Sequence, residues 1–309
     1  MPPEFDPHER TLIAWPCREA LWGGELAEAR RETAAVANAV AAFEPVLMVC
    51  RPGHGAEARA ALSAGVEVWE APIDDSWLRD SGPIFLEDGS GIQFGFNAWG
   101  GRFPPWDDDA TIAGRLCDHL GRPWERSELI LEGGAIAVDG TGTLLTTEEC
   151  LLNPNRNPRW TRAQIEDEVR ARLGVERIVW LPYGLAEDRD TDGHVDLVAA
   201  FAGPGRVAVL AVEDGNPNAG RLAANRSVLR EAGLEVVDVP GLVYAGETAI
   251  SPLNLYVCNG GVVMSDASAE ALDAVARAFP DREVVGVPAR VLALGGGGPH
   301  CITQQVPAV

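Results

Sequence analysis

Four times along this chain an apolar stretch enters a Gly-rich turn and leaves as a second apolar stretch. Ser81–Phe94 reads SGPIFLEDGSGIQF, Gly133–Leu145 reads GGAIAVDGTGTLL, Val195–Leu210 reads VDLVAAFAGPGRVAVL and Leu253–Met264 reads LNLYVCNGGVVM. DGSG, DGTG and NGG are strong hairpin signals, because Asn, Asp and Gly tolerate the positive φ of a tight turn. The turn glycines Gly89, Gly140, Gly205 and Gly260 lie 51, 65 and 55 residues apart. A unit of roughly 60 residues would fit five times into the chain, and regular self-similarity of this kind marks a repeat architecture.

Helical periodicity separates the hairpins, in Leu26–Phe43, Thr161–Leu173, Ala219–Ala232 and Ser268–Phe279. Gly233 and Pro280 stop two of these helices. Short β-like runs also intervene: VLMVC, VEVWE, RIVWLP, LEVVDVP and EVVGVP. Strands and helices alternate throughout, which predicts an α/β protein. A closed ring of five units satisfies the repeat and leaves no exposed sheet edge. The competing reading is an ordinary mixed α/β domain whose hairpins recur by chance. We expect the ring, as one domain over residues 1–309.

The 309 residues are ample for a large core, and 46% hydrophobic with 23% charged residues is a globular balance. No run approaches the roughly 20 apolar residues of a membrane span. The start, MPPEFD, has neither a basic region nor an apolar signal core, so a cytoplasmic location is expected. The net charge of −21 argues against nucleic acid as a partner and would attract small cations. Of the six cysteines, Cys50, Cys117, Cys150 and Cys258 sit in apolar contexts and read as reduced, buried residues. No Cys/His spacing reads as a zinc site, and no metal is expected.

Three of the hairpins are preceded by a residue that can do chemistry, and a further such residue stands near the C-terminus. Asp80 ends WLRD, Glu132 lies in LEGG, and His194 and Asp196 lie in DTDGHVD; Cys301 lies in GGGGPHCITQQ near the C-terminus. Taken singly these read as a surface ion pair, a turn residue, a structural histidine and an inert thiol. Their matching positions in a repeat would bring them to one pocket. The spacings of 52, 62 and 107 residues leave one unit contributing less. A Cys–His pair alone suits acyl transfer, but carboxylates around it would raise the thiol pKa and repel an oxyanion. The set makes sense for a cationic substrate. A guanidinium is flat, carboxylates grip its N–H edges in pairs, and its central carbon is open to sulfur.

On these motifs the chain resembles the agmatine deiminase family of the guanidine-modifying (pentein) superfamily, which includes Porphyromonas-type peptidylarginine deiminase-like proteins. PEFDPHERTLIAWP, WLRDSGP, FNAWGGRF, LEGGAIAVDGTGTLLTTEECLLNPNRNP, DTDGHVD and HCITQQVP carry the likeness nearly end to end. The resemblance implies a five-bladed α/β propeller of pseudo-fivefold ββαβ repeats. It implies Cys301 as nucleophile, His194 as general acid/base and Asp80 and Asp196 as guanidinium clamps. Glu132 would be a second partner of the guanidinium or of His194, Trp77 a pocket residue, and Asp190 an acidic group near the substrate's far amine. The implied reaction is hydrolysis of agmatine to N-carbamoylputrescine and ammonia through a covalent thiouronium on cysteine. It needs no cofactor, and family habit implies a homodimer or larger assembly.

The chain departs from the family pattern in three places. WPCREALWGG stands where WPER followed by DNWR is usual, and GGGGPHC stands where many members have GGGNIHC. The chain is also shorter, which implies trimmed loops. Arg18, Arg102 and Arg156 lie in motif regions, with no sign in the sequence that one reaches the pocket to hold an α-carboxylate. Agmatine therefore ranks ahead of another guanidine, and free or peptidyl arginine comes last. An amidinotransferase uses the same residues with an amine acceptor and is the alternative enzyme class. A silent binding protein is the alternative outside enzymes, disfavoured by the intact set of five residues.

Overall fold

The computed structural model describes residues 1–309. All four expected hairpins form: 84–85 with 91–95, 136–138 with 143–147, 199–203 with 206–210 and 256–258 with 261–265. The four turn glycines adopt φ between 65° and 78°, the left-handed region that the turn motifs predict.

Each hairpin extends in the same way. Its second strand leads into a helix and then into a third strand, parallel to the second. In order, these third strands are 124–130, 177–181, 235–239 and 283–287. The intervening helices are Asp109–Leu120, Arg162–Leu173, Ala219–Glu231 and Ala269–Ala278. A fifth sheet draws on both chain ends. Thr303–Pro307 pairs antiparallel with His8–Ala14, which pairs in parallel with Val46–Cys50 across the helix Leu26–Val40. Val66–Glu70 adds an outer strand to it. One ββαβ pattern therefore occurs five times in an α/β fold.

Local chemistry explains these elements. Val46–Cys50 is the inner parallel strand of a covered sheet, buried at all five positions, and so reads as an unbroken apolar run. Val66–Glu70, at the sheet edge, has no fully buried position. The helix 269–278 is capped by the Ser268 side chain, which accepts from the Ala271 N–H, and it buries Ala271, Ala274, Val275 and Ala278 on one face. That face packs against both its own third strand and the one in the preceding sheet. Each fully buried Leu or Val in these layers contributes about 1.5–3 kcal/mol. No helix is long and apolar enough to cross a membrane.

The first strands of the five sheets begin at residues 84, 136, 199, 256 and 303. Three are entered through a short helical turn: Leu78–Ser81, Gly133–Ala135 or Val195–Leu197. These turns pack against one another. The expected site residues therefore come from matching places in separate sheets.

Candidate active site

The structure brings Asp80, Glu132, His194, Asp196 and Cys301 together, all of them buried. Gly134 lies at the centre of the group. A Cβ built there would stand 2.6 Å from His194 Nδ1, 2.9 Å from Asp80 Oδ1 and 3.1 Å from Asp196 Oδ2. Any side chain at this position would fill the space these groups share. His194 has no hydrogen-bond partner on either ring nitrogen. Its Nδ1 is 3.8 Å from Asp80 Oδ2 and its Nε2 is 3.9 Å from Glu132 Oε2.

The three carboxylates are anchored differently. Asp80 accepts from the Gly134 N–H and the Trp99 indole N–H, both at 2.9 Å. Glu132 Oε1 accepts from Arg156 Nε at 2.6 Å, and both side chains are wholly buried. Asp196 Oδ2 accepts from His300 Nδ1 at 2.8 Å and from Asn254 Nδ2 at 3.1 Å. That leaves Glu132 Oε2 and Asp196 Oδ1 buried with no donor. A buried polar atom without a partner costs about 1–3 kcal/mol, more when charged, so two such acceptors in one buried group are a demand for a ligand.

Cys301 Sγ lies 3.5 Å from Asp196 Oδ2 and accepts from Asn254 Nδ2 at 3.0 Å. Burial, then Asp196 and Asp80, push its thiol pKa well above the ordinary value. Burial pushes Asp80 up too, against the charge of His194. Burial works against the charge on His194, but Asp80, Asp196 and Glu132 outweigh it and its pKa is raised. The arrangement favours a protonated thiol and a protonated imidazole among carboxylates with spare acceptor atoms. A flat cation would complete it and, by its charge, would ease loss of the thiol proton.

A narrow cavity reaches Cys301 and Asp80 between Trp77, Trp99 and Phe103, with Asp190 at its rim. Trp77 is held by stacking on Trp22, with ring centroids 5.6 Å apart. The largest cleft, about 640 Å³, does not itself contain Cys301. It opens beside the 296–299 loop and shares Asp190 and Gly296 with the narrow cavity.

The three arginines of the motif regions are committed elsewhere. Arg102 forms a fork with Asp192 at 2.6 and 2.7 Å, and Arg156 pairs with Glu132 and Asp192. Arg18, on the cavity wall, donates to the Pro104 and Pro105 carbonyls.

Four contributors escaped the sequence reading. Asn254 stands just before the fourth hairpin, in the unit expected to contribute less, and a polar residue before Tyr256 was its signal. His300 was visible only as the residue before the nucleophile. Trp99 sits in FNAWGGRF, where Ala98 and Trp99 take left-handed φ of 51° and 54°. Arg156 sits in LLNPNRNP. Cys150, read as a buried apolar residue, also lies near the site, with Glu132, His194 and Cys150 ligand atoms within 4.8 Å of one another. Burial pushes its thiol pKa well above the ordinary value, and Arg156 already supplies Glu132 with a cation, so this donor set fits a metal ion poorly.

A family model described as Porphyromonas-type peptidyl-arginine deiminase matches residues 1–307. An agmatine deiminase of Pseudomonas aeruginosa is 41% identical over 355 aligned positions, covering all of this chain and 95% of its own length. The structure of the Enterococcus faecalis agmatine deiminase superposes with a TM-score of 0.94 at 33% identity, covering 99% of this chain and 95% of that one. A dimethylarginine dimethylaminohydrolase shares the fold alone, at a TM-score of 0.58 and 16% identity over 96% of this chain and 99% of its own. Fold and site together define a guanidine-modifying α/β protein. Within that class the chain belongs to the agmatine deiminase family, under the Porphyromonas-type peptidyl-arginine deiminase description. The alignment with the Pseudomonas enzyme runs 46 positions beyond the 309 residues here, so that relative carries segments this chain lacks.

Proposed function

We propose that this protein hydrolyses agmatine to N-carbamoylputrescine and ammonia. One observation carries the reading: two buried carboxylate oxygens, Asp196 Oδ1 and Glu132 Oε2, lack donors beside Cys301 and His194. Guanidinium N–H groups supply the donors, in the paired geometry that carboxylates favour. Asp80 and Asp196 are the clamps, Glu132 faces both the guanidinium and His194, and Trp77 walls the pocket. Asp190 at the rim takes the distal ammonium, which favours agmatine over arginine with its α-carboxylate.

In the reaction, binding of the cation lowers the thiol pKa and Cys301 loses its proton to solvent. The thiolate forms a C–S bond to the guanidinium carbon. His194, as imidazolium, gives a proton to one –NH2 of the tetrahedral adduct; the C–N bond breaks and ammonia leaves. The remaining thiouronium is attacked by water, whose proton passes to the now neutral His194. The second adduct loses its hydroxyl proton, the C–S bond breaks, and the urea and thiolate separate. The balance is guanidinium plus water to urea plus ammonium, with no metal or organic cofactor required.

The same reading takes the chain as one domain over residues 1–309 closed into a five-bladed propeller. Support comes from five sheets of one pattern, each preceded by a residue of the site, with both chain ends in one sheet. A cytoplasmic location is supported by six unpaired, buried cysteines, which suit a reducing compartment. A homodimer is supported by Tyr244 and Leu294, exposed apolar side chains on one cleft.

The test is ammonia release from agmatine, arginine and related guanidines, without an amine acceptor, for the wild type and Cys301→Ala. We expect ammonia from agmatine and none from the variant. Release that survives Cys301→Ala would remove the mechanism, and consumption of agmatine only when an amine acceptor is supplied, with the diamine and no ammonia set free, would favour the amidinotransferase.

A further inference from the structure

His300 is held between two carboxylates. Its Nδ1 is 2.8 Å from Asp196 Oδ2 and its Nε2 is 2.9 Å from Glu4 Oε2. A neutral imidazole donates from one nitrogen only, and the other would set a lone pair against a carboxylate. Both contacts are favourable only for the imidazolium, so the geometry itself sets the protonation state. The ring does not line the narrow cavity of Cys301. It lines a separate small cavity behind Asp196, with Glu4, Arg79 and Gln305.

We propose that His300 is a positioning residue for the clamp Asp196: pinned between Asp196 and Glu4, its ring holds one carboxylate oxygen away from the substrate so that the other faces it. The proposal rests on the guanidinium reading above. Asp196 Oδ2 meets His300, Asn254 and Cys301, whereas Oδ1 meets no donor. Rotation of this carboxylate would break the contacts on Oδ2. Glu4 is braced in turn by Arg79 Nη2 at 2.9 Å and by the Val257 N–H at 2.8 Å. Arg79 adjoins Asp80 and also donates to Gln305 at 2.8 Å. One chain of contacts thus ties the N-terminal segment and the Asp80 turn to the loop that carries the nucleophile.

The charged groups facing His300 are Asp196, Glu4 and Arg79. Burial and Arg79 oppose its charge, and Glu4 with the two carboxylate hydrogen bonds outweighs them, so its pKa is raised. Burial opposes ionisation of Asp196, but His300 and then His194 hold its pKa below the ordinary value. Glu4, despite burial, is held at about 2 by His300 and Arg79. Removing the imidazolium therefore raises the pKa of Asp196, and a deiminase that needs Asp196 ionised loses activity at a higher pH on its acid side.

Three proteins test this: wild type, His300→Gln and Glu4→Gln, the last acting from the side remote from substrate. Each is assayed for the pH profile of kcat/KM with agmatine. Each is also assayed for alkylation of Cys301 by chloroacetamidine, an amidinium, and by neutral iodoacetamide. In His300→Gln we expect about a 100-fold loss of kcat/KM, an acid limb shifted to higher pH, and at least a tenfold fall in the amidinium-to-neutral alkylation ratio. Glu4→Gln should move all three the same way by about tenfold or less. A selective wild type with an equally selective His300→Gln, or with an unmoved acid limb, overturns the role of His300 alone. A wild type that neither turns over guanidines nor prefers the amidinium overturns the functional reading, and this inference with it.

Discussion

Two groups of three buried carboxylates lie close together along this chain and behave oppositely. Asp74, Asp75 and Asp109 form one; Asp80, Glu132 and Asp196 form the other. The stretch IDDSWLRD carries members of both within eight residues. The first group is held largely by the backbone. Asp109 accepts from the Asp74 and Asp75 N–H groups, and Asp74 accepts from those of Asp108 and Asp109. Asp75 accepts from the Trp22 indole, which fixes the ring that stacks on Trp77. Burial drives the pKa of Asp109 up to about 8, so this group meets its excess charge by keeping a proton. The second group is met by cations instead: Arg156 on Glu132, and His300 and His194 around Asp196. It retains two acceptor atoms with no donor, where the first group retains one, Asp75 Oδ2. Burial is common to both; what separates them is how the excess charge is met, by a retained proton in the first and by buried cations in the second, and that the open acceptors of the second lie in the group that holds Cys301 and His194.

If the second group binds the substrate, Asp80→Asn should give the largest effect on catalysis. Cutting one charge from a buried ionic contact costs about 2–5 kcal/mol, so kcat/KM should fall by roughly 30- to 5,000-fold. The melting temperature should fall by no more than a few degrees, because Asn keeps one acceptor, for the Gly134 N–H, and gives up the one that meets the Trp99 indole. Wild-type kcat/KM in this variant would erase the distinction between the groups.

Glu132→Gln should break activity and fold together. Arg156 would be left buried with Asp192 as its one remaining charged partner, beside the Asn155 side chain and the Thr191 carbonyl. Loss of a buried ion-pair partner costs up to about 3–5 kcal/mol, readable as a lower urea midpoint. An unchanged midpoint would mean that the Arg156 pair carries no stability.

The smallest effect belongs to the first group. Folded Asp109 keeps its proton to about pH 8, against an ordinary value of 3.8. Between those values the folded state binds the extra proton, so stability falls as pH rises through the window. Asp109→Asn should flatten the decline in melting temperature from pH 5 to pH 8 by a few degrees while leaving deimination unchanged. An equal decline in both proteins would show that Asp109 titrates normally.

How far the sequence could be read follows from the range of each signal. The hairpins were legible because a turn is decided by adjacent residues, as DGTG and NGG decide theirs. The interleaved helices were legible for the same reason. Asp80, Glu132, His194, Asp196 and Cys301 were legible as a set because the repeat indexes them: each precedes the first strand of a sheet. The index also pointed to a fourth unit without naming its residue, and Asn254 fills that place. What holds these side chains was not legible. Asn254 reaches Cys301 across 47 residues, Arg156 reaches Glu132 across 24, Trp99 reaches Asp80 across 19 and Glu4 reaches His300 across 296. No local preference encodes such pairs, since they exist only once separate sheets have packed together. The chain by itself determined an α/β repeat and the chemistry its residues can perform. Only the tertiary structure decided which oxygen of each carboxylate is spent on the protein and which is left for the ligand, because that depends on donors brought in from distant parts of the chain.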